Sequence, residues 1–385
     1  MTDQNTPRPR VIIFRNELLP SSETFILAQA NALRRFTPLF AGVHKALHSL
    51  PMIQPPVLVS ESRSVLGRIM RRVYWRISIA PFFFKRLHSQ PSDLVHAHFG
   101  IDGAAALPIC NTLHVPLIVT LHGYDVSSSD CVLARSPEGR LYLRRREELW
   151  SRASVFLCIS QFIRDRAIEK GFPANKLRVH YTGTDLALFE FRASDRDDNM
   201  ILFVGRLVEK KGCSYLLDAL SQLRQDHPAV HLVVIGSGPL EEQLQQKAAK
   251  EKLACAFLGA QPASIVRDYM ARARVFCVPS VQASTGDSEG LGMVFVEAQA
   301  MGTPVASFRH GGISEVVVHN RTGLLAPESD SISLKDNLLR LLTDNQLWNQ
   351  CSIEGPSWVR SKFDITKQTA QLEAIYEDVC QGFIK

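Results

Sequence analysis

What this 385-residue chain lacks narrows its reading first. It has no run of eighteen apolar residues, so no membrane-spanning helix is expected. Its first ten residues are polar and hold Pro7-Arg8-Pro9, so no signal peptide is expected. The eight cysteines are scattered, with no Cys-x-x-Cys pair and no histidine at metal-ligand spacing. Several lie in apolar runs such as Val155–Cys158 and Val275–Val278, as small buried hydrophobes of a reducing compartment do. RNP-like and zinc-finger spacings are absent and the net charge is only +6, so nucleic acid is not an expected partner. Neither G-x-x-x-x-G-K-[ST] nor a G-x-G-x-x-G after the first strand is present, which disfavours nucleotide triphosphate hydrolysis. No low-complexity tract or short repeat interrupts the chain.

What is present is an ordinary globular mix, 45% hydrophobic and 21% charged, in a chain long enough for two cores. Short apolar runs alternate with amphipathic stretches, the βαβ rhythm of an α/β chain with helices on both faces of parallel sheets. In the first half, strands are expected at Val11–Phe14, 37–43, 56–60, Leu117–Leu121, 154–159 and Leu177–Tyr181. Asp93–Gly100 reads as a strand running into a Gly loop. A helix capped by Ser21 or Ser22 should reach about Arg35, another should span 137–152, and Ser160 should cap a third. The charge-rich stretch Arg192–Asp198 reads as a linker. It separates a first domain, 1–190, from a second, 191–364, followed by a final helix in 365–385. In the second half, strands are expected at Met200–Val204, His231–Ile235, Ala256–Gly259, Arg274–Ser280 and near Pro304–Ser307, with helices to about Arg224 and over 263–273, 331–343, 345–362 and 365–380.

Residues 61–88 stand apart. Arg63, Arg68, Arg71, Arg72, Arg76, Lys85 and Arg86 interleave with apolar and aromatic residues, and no acid falls between Arg63 and Arg86. A basic, aromatic, amphipathic segment suits an anionic membrane surface, with Arg68, Arg71, Arg72, Trp75 and Arg76 in contact. The plainer alternative is a helix docked on the sheet with a solvated basic face.

Two stretches of the second half could carry chemistry. Glu289 and Glu297 lie eight apart, with Gly290, Leu291, Gly292, Met293 and Val294 between them. A helix starting near Gly290 to Gly292 would offer its open N–H groups to an anion or to sugar hydroxyls. Eight helical residues span about 12 Å, so the two carboxylates would grip two ends of one elongated ligand. Spacing alone equally allows a solvated surface pair. Arg206 and Lys211, on either side of a helix start after Gly205, would make a diphosphate cradle without a metal, or else a solvated turn. Asp287 and Glu289 could hold a cation, which that cradle makes unnecessary. In the first half, His122 stands in a polar cluster at a strand end, either as a structural hydrogen-bonder or as a functional group. His96 and His98 are placed on opposite faces of their strand, one in the core and neither a metal ligand.

The order Gly205-Arg206…Lys211-Gly212, Gly236-Ser237-Gly238-Pro239, Phe257-Leu258-Gly259, Glu289-x7-Glu297, then Gly302-Thr303-Pro304, Gly311-Gly312 and Gly323-Leu324-Leu325, resembles retaining glycosyltransferases of family 4. The first half resembles them more loosely, through His96-Ala97-His98, His122-Gly123-Tyr124 and Ser160-Gln161. Ser22-Glu23-Thr24-Phe25-Ile26 is similar to the subgroup that builds exopolysaccharides of the colanic acid and amylovoran type, in place of the Gly-Gly loop of many relatives. The resemblance implies a GT-B fold, two doubly wound Rossmann-like domains facing across a cleft, with the final helix crossing back to the first. It implies no cofactor, and a UDP- or GDP-linked sugar as donor. Arg206 and Lys211 would hold the diphosphate, Glu297 the ribose, Glu289 and the N–H groups of 290–294 the transferred sugar, and His122 would reach that sugar. Gly205, Gly236, Gly238 and Leu258 would line the donor site. The expected activity is a metal-independent, retaining hexose transfer to a polyprenyl-diphosphate-linked glycan by a cytoplasmic protein peripheral on the inner face of the plasma membrane. The alternatives are a soluble transferase making a small glycoside or glucan, and a non-catalytic glycan-binding scaffold.

Overall fold

The structure, a computed structural model, describes residues 8–20, 22–62, 64–189 and 196–384. Ser21, Arg63 and Arg192–Asp195 lie outside the described residues, and with them one of the two expected caps, one end of the basic segment and most of the expected linker. The chain forms two compact units, Met1–Gly183 with Ile365–Lys385, and Thr184–Asp364. The sequence places the division at 190/191; the chain divides at 183/184. There the Thr184 N–H donates to the Phe363 carbonyl at 2.7 Å, so the two ends of the second unit are tied to each other.

The first unit is built on seven parallel strands: β1 (Arg10–Leu18), β2 (Thr37–Lys45), β3 (Val57–Leu58), β4 (Leu94–His98), β5 (Leu117–Leu121), β6 (Val155–Cys158) and β7 (Leu177–Val179). Their order is β3-β2-β1-β4-β5-β6-β7. The inner strands are largely apolar because helices cover both faces, with His96 and His98 interrupting β4 and Arg15 to Glu17 following the apolar part of β1. The strand order reverses between β1 and β4, and such a reversal leaves a crevice at the carboxyl ends of the strands.

Local chemistry sets the helices. Helix Thr24–Asn31 stops short of Arg35 and takes Glu23 as its N-terminal flank, with no side-chain cap. The Glu23 carboxylate is engaged by Arg15 instead. Helix Gly100–Leu113, read from the sequence only as a Gly loop, is buried on nearly every side. An all-round apolar helix shows no 3.6-residue alternation, and Pro108 within it reads as a breaker. The basic segment forms two helices, Val65–Ile77 and Pro81–His88, parted where Ser78 turns left-handed at φ 60°. Ser64 caps the first, accepting from the Gly67 N–H at 3.2 Å, and the buried Tyr74 hydroxyl ties it to the Ala105 carbonyl at 2.7 Å. Helix Pro137–Arg152 starts on Ser136, which accepts from the Gly139 N–H at 3.0 Å.

The last helix, Ile365–Ile384, completes this unit. Leu372 and Tyr376 join Val11, Ile13, Phe36 and Leu94 in one apolar cluster. Tyr376 meets His96 Nδ1 at 2.6 Å, and Glu373 accepts from the backbone N–H groups of Arg34, Arg35 and Phe36.

The second unit holds six parallel strands: β8 (Asp197–Val204), β9 (His231–Ile235), β10 (Cys255–Phe257), β11 (Ala273–Cys277), β12 (Val305–Phe308) and β13 (Gly323–Ala326). Their order is β10-β9-β8-β11-β12-β13, with the reversal between β8 and β11. Both units are doubly wound and Rossmann-like. All eight cysteines are free; Cys131 is exposed, unlike the buried Cys158 and Cys277. No described helix is long and apolar enough to cross a membrane.

Candidate functional site

The loops leaving β8, β9 and β10 in the second unit are knit by backbone bonds into one bed. Gly205 N–H donates to the Ile235 carbonyl and Leu207 N–H to that of Ser237, both at 3.0 Å. Gly236 N–H donates to Gly259 O at 2.8 Å and Leu258 N–H to Val234 O at 2.9 Å. Gly236 adopts φ 138°, and a Cβ on it would collide with the Gly205 carbonyl. These bonds hold Gly205, Gly236, Gly238 and Leu258 side by side just past the carboxyl ends of β8, β9 and β10.

Lys211 ends a 3-10 turn, Glu209–Lys211, and helix Cys213–Asp226 begins after Gly212. Arg206 and Lys211 therefore both precede the helix; they do not flank its start, because Gly212 sits at φ 65° and breaks the turn from the helix. Lys211 is ion-paired with Glu289, with side chains 14% and 11% exposed. Lys210 pairs with Asp287 at 2.9 Å, and the Ser280 hydroxyl reaches Glu289 at 3.5 Å. Burial would push the Glu289 carboxyl up, but Lys211 and Lys210 overcome it and hold it below its ordinary value. Arg206 is exposed and forms no ion pair with a described residue. The sequence pointed to Lys211 and Glu289 separately. It gave no sign that they bind each other, nor that Ser280 and Asp287 complete the group.

Gly290, Leu291 and Gly292 are not helical. Helix Met293–Ala300 begins after Gly292 at φ 85°, and no side chain caps its first turn. Only Met293 to Glu297 lie on the helix, a rise of about 6 Å, so the expected 12 Å of helix between the two carboxylates is not formed. A Cβ on Gly311 would collide with the Glu289 carbonyl and one on Gly312 with that of Gly290, so those glycines press the loop into place. The Met293 and Val294 amides open the helix beside it. Burial pushes the Glu297 carboxyl up to about 7, offset only weakly by Arg267.

The first unit gathers its own polar group at the β1/β4 reversal. Arg15, in β1 just past Phe14, where the pairing with β4 stops, is ion-paired with both Glu23 and Asp102 and lies 4.4 Å over the Phe99 ring. Asn16 donates to Asp102 at 2.6 Å and accepts from the Trp75 indole at 3.0 Å. None of Arg15, Asn16 and Asp102 was singled out as a site from the sequence. Arg15-Asn16 directly after the apolar run Val11–Phe14, and an acid, Asp102, in the Gly loop after His98, were the available signal. His96 and His98 do not face opposite ways: residues two apart share a strand face, and their rings lie 4.4 Å apart. Both are buried, His96 on Thr120 and Tyr376, His98 on His122 at 3.1 Å. His122 also touches Phe25 and Phe99, and burial, then Arg15, hold its imidazole well below its ordinary pKa and therefore neutral.

Among the described residues no group of three His, Cys, Asp or Glu side chains is arranged to hold a metal ion. On the basic segment, Arg68, Arg72 and Arg76 are exposed, Arg71 donates to Ser62 O at 3.1 Å, and Trp75 is half-buried. Leu66, Ile69, Ile77 and Phe82 are 67%, 50%, 58% and 78% exposed.

The chain matches two family profiles that between them span most of its length, one described as "Glycosyltransferase Family 4" over residues 22–188 and one as "Glycosyl transferases group 1" over 186–358. It is 33% identical over 256 residues to the amylovoran biosynthesis glycosyltransferase AmsK of Erwinia amylovora, covering 65% of this chain and 61% of that one. It is 32% identical to the putative colanic acid biosynthesis glycosyltransferase WcaL of Escherichia coli, over 64% of this chain and 61% of that one. The matched region thus spans about three fifths of these relatives. Among solved structures, Anabaena HepE in complex with UDP and glucose superposes with a TM-score of 0.75 at 21% identity, over 96% of this chain and all of that one, which shows a shared GT-B fold.

Proposed function

We propose that this chain, which belongs to glycosyltransferase family 4, transfers a hexose from a UDP- or GDP-sugar to a polyprenyl-diphosphate-linked glycan during exopolysaccharide assembly, with retention of anomeric configuration. The observation that carries the reading is the Lys211–Glu289 pair beside the uncapped helix start at Met293, on the rim of the β8/β11 reversal. Breaking the anomeric C–O bond leaves a nucleotide diphosphate, and the developing negative charge is the costly feature of that step. Lys211 and Arg206 would take up that charge as fixed cations, a donor of this kind lowering the barrier by about 3 kcal/mol. Glu289, released from Lys211 as the diphosphate arrives, accepts from sugar hydroxyls. Glu297 accepts from the ribose diol once ionised. Neither carboxylate needs to attack carbon. The departing phosphate oxygen takes the acceptor proton, and attack on the leaving-group face retains configuration.

The names of the relatives support polysaccharide assembly, and the UDP and glucose bound to HepE support a nucleotide-sugar donor. The exposed apolar residues beside Arg68, Arg72 and Arg76 support a protein peripheral on the cytoplasmic face of the plasma membrane. A thermal-shift screen of UDP- and GDP-sugars tests the donor. A ligand at a hundred times its dissociation constant stabilises by about 2.7 kcal/mol. No shift with any of them would end the transferase reading. Flotation with anionic vesicles tests the membrane contact, and a protein left at the bottom of the gradient refutes it.

A further inference from the structure

We propose that helices Val65–Ile77 and Pro137–Arg152 form between them the receptor for the acceptor's diphosphate, an inference that rests on the transferase reading above. Two adjoining cavities of about 600 and 450 Å³ open between these helices and share Arg76, Leu141 and Arg144. Arg72, Trp75, Pro137 and Arg140 complete the second. Among the described residues, none of Arg72, Arg76, Arg140 and Arg144 is ion-paired with a carboxylate, whereas their neighbour Arg145 is held by Glu148 at 2.8 Å. Arg144 donates to the backbone carbonyls of Trp75 and Arg76, at 3.4 and 3.3 Å, and Arg140 to that of Ala134 at 2.8 Å.

Four like charges around one groove repel each other, and a polyanion relieves that repulsion. Guanidinium forks match phosphate oxygens in pairs, so two adjacent phosphates use the groove more fully than one. The surroundings identify the anion as the head of a lipid: Ile77 lines the first cavity at 58% exposure, and Phe82, 78% exposed, follows on the next helix. Trp75 identifies the lipid as the acceptor. It lines the groove while its indole N–H donates to Asn16 at 3.0 Å, and Asn16 holds Asp102 at the β1/β4 crevice. A diphosphate seated on the arginines has its glycan next to that crevice.

Calorimetric titration of the full chain with farnesyl diphosphate, farnesyl phosphate, farnesol and inorganic pyrophosphate tests the assignment. Farnesyl diphosphate should bind tightest. Replacing Arg140→Gln and Arg144→Gln together should weaken it about a hundredfold, and Arg140→Lys with Arg144→Lys should recover part of the loss. The stabilisation by a nucleotide sugar should be the same in variant and wild type, which shows that the variant is folded. Unchanged farnesyl diphosphate affinity in the glutamine variant, or equal binding of inorganic pyrophosphate when saturating UDP fills the Arg206 and Lys211 site, would overturn the inference. Absence of any nucleotide-sugar stabilisation in the wild type would instead overturn the transferase reading on which it rests.

Discussion

Replacing Lys211→Met tests the donor site through stability and activity together. The change leaves Glu289, 11% exposed, without its main counter-charge. Removing one partner of a fully buried ion pair costs about 3–5 kcal/mol. The residual exposure here, and Lys210 nearby, bring the expected loss to about 2–3 kcal/mol. In a unit of about 180 residues that lowers the melting temperature by about 5–10 °C. Adding Glu289→Gln removes the orphaned charge, so the double variant should regain most of the stability, with a coupling of at least about 1 kcal/mol. It should not regain turnover, which falls by about a hundredfold or more in either variant. The pH dependence has a definite sign. In the wild type the lowered carboxyl stabilises the fold above the ordinary carboxylate range, and that contribution is lost as pH falls through the lowered pKa. In Lys211→Met burial prevails and the carboxyl moves up, so the variant should gain stability relative to wild type as pH is lowered from 8 toward 5. Melting curves across that range decide the matter. A single variant as stable as wild type, or a double variant showing the plain sum of two losses, would refute the reasoning.

Glu297→Gln should weaken donor binding while raising the melting temperature at pH 8, since a carboxyl held up near 7 opposes folding once ionised; in the wild type, titrated donor affinity should strengthen as pH rises through 7 and level off above it. Gly212→Ala, at φ 65° with a Cβ directed into the Pro279 carbonyl, should cost at least about 2 kcal/mol in denaturant unfolding and reduce donor affinity by displacing Lys211. Excess chelator should leave the transfer rate unchanged, and recovery of a lost rate by one added divalent ion would assign the charge neutralisation to a metal.

Much of the second unit was legible because its signals are local. β9, His231–Ile235, and the helices Ser331–Thr343 and Asn345–Lys362 fall where apolar period and flanking residues put them. Lys211 and Glu289 were legible as residues but not as a pair, since 78 positions separate them and only the β8/β11 reversal brings them together. Arg15 and Asp102, 87 apart, were hidden for the same reason, β1 and β4 being neighbours in space only. Helix Gly100–Leu113 escaped because burial on all sides erases the amphipathic alternation by which a helix is read. The late start of helix Met293–Ala300 depends on one left-handed glycine, a backbone choice that residue identity permits without announcing.

The helix Ile365–Ile384 belongs to the sheet whose strands are made first. During synthesis the ribosome delivers Met1–Gly183 and then the whole of Thr184–Asp364 before Leu372 and Tyr376 emerge to fill their slot among Val11, Ile13 and Leu94. The earliest-made sheet is thus the last to close, and a nascent chain stalled before residue 365 carries an open apolar seam that a holdase chaperone can grip.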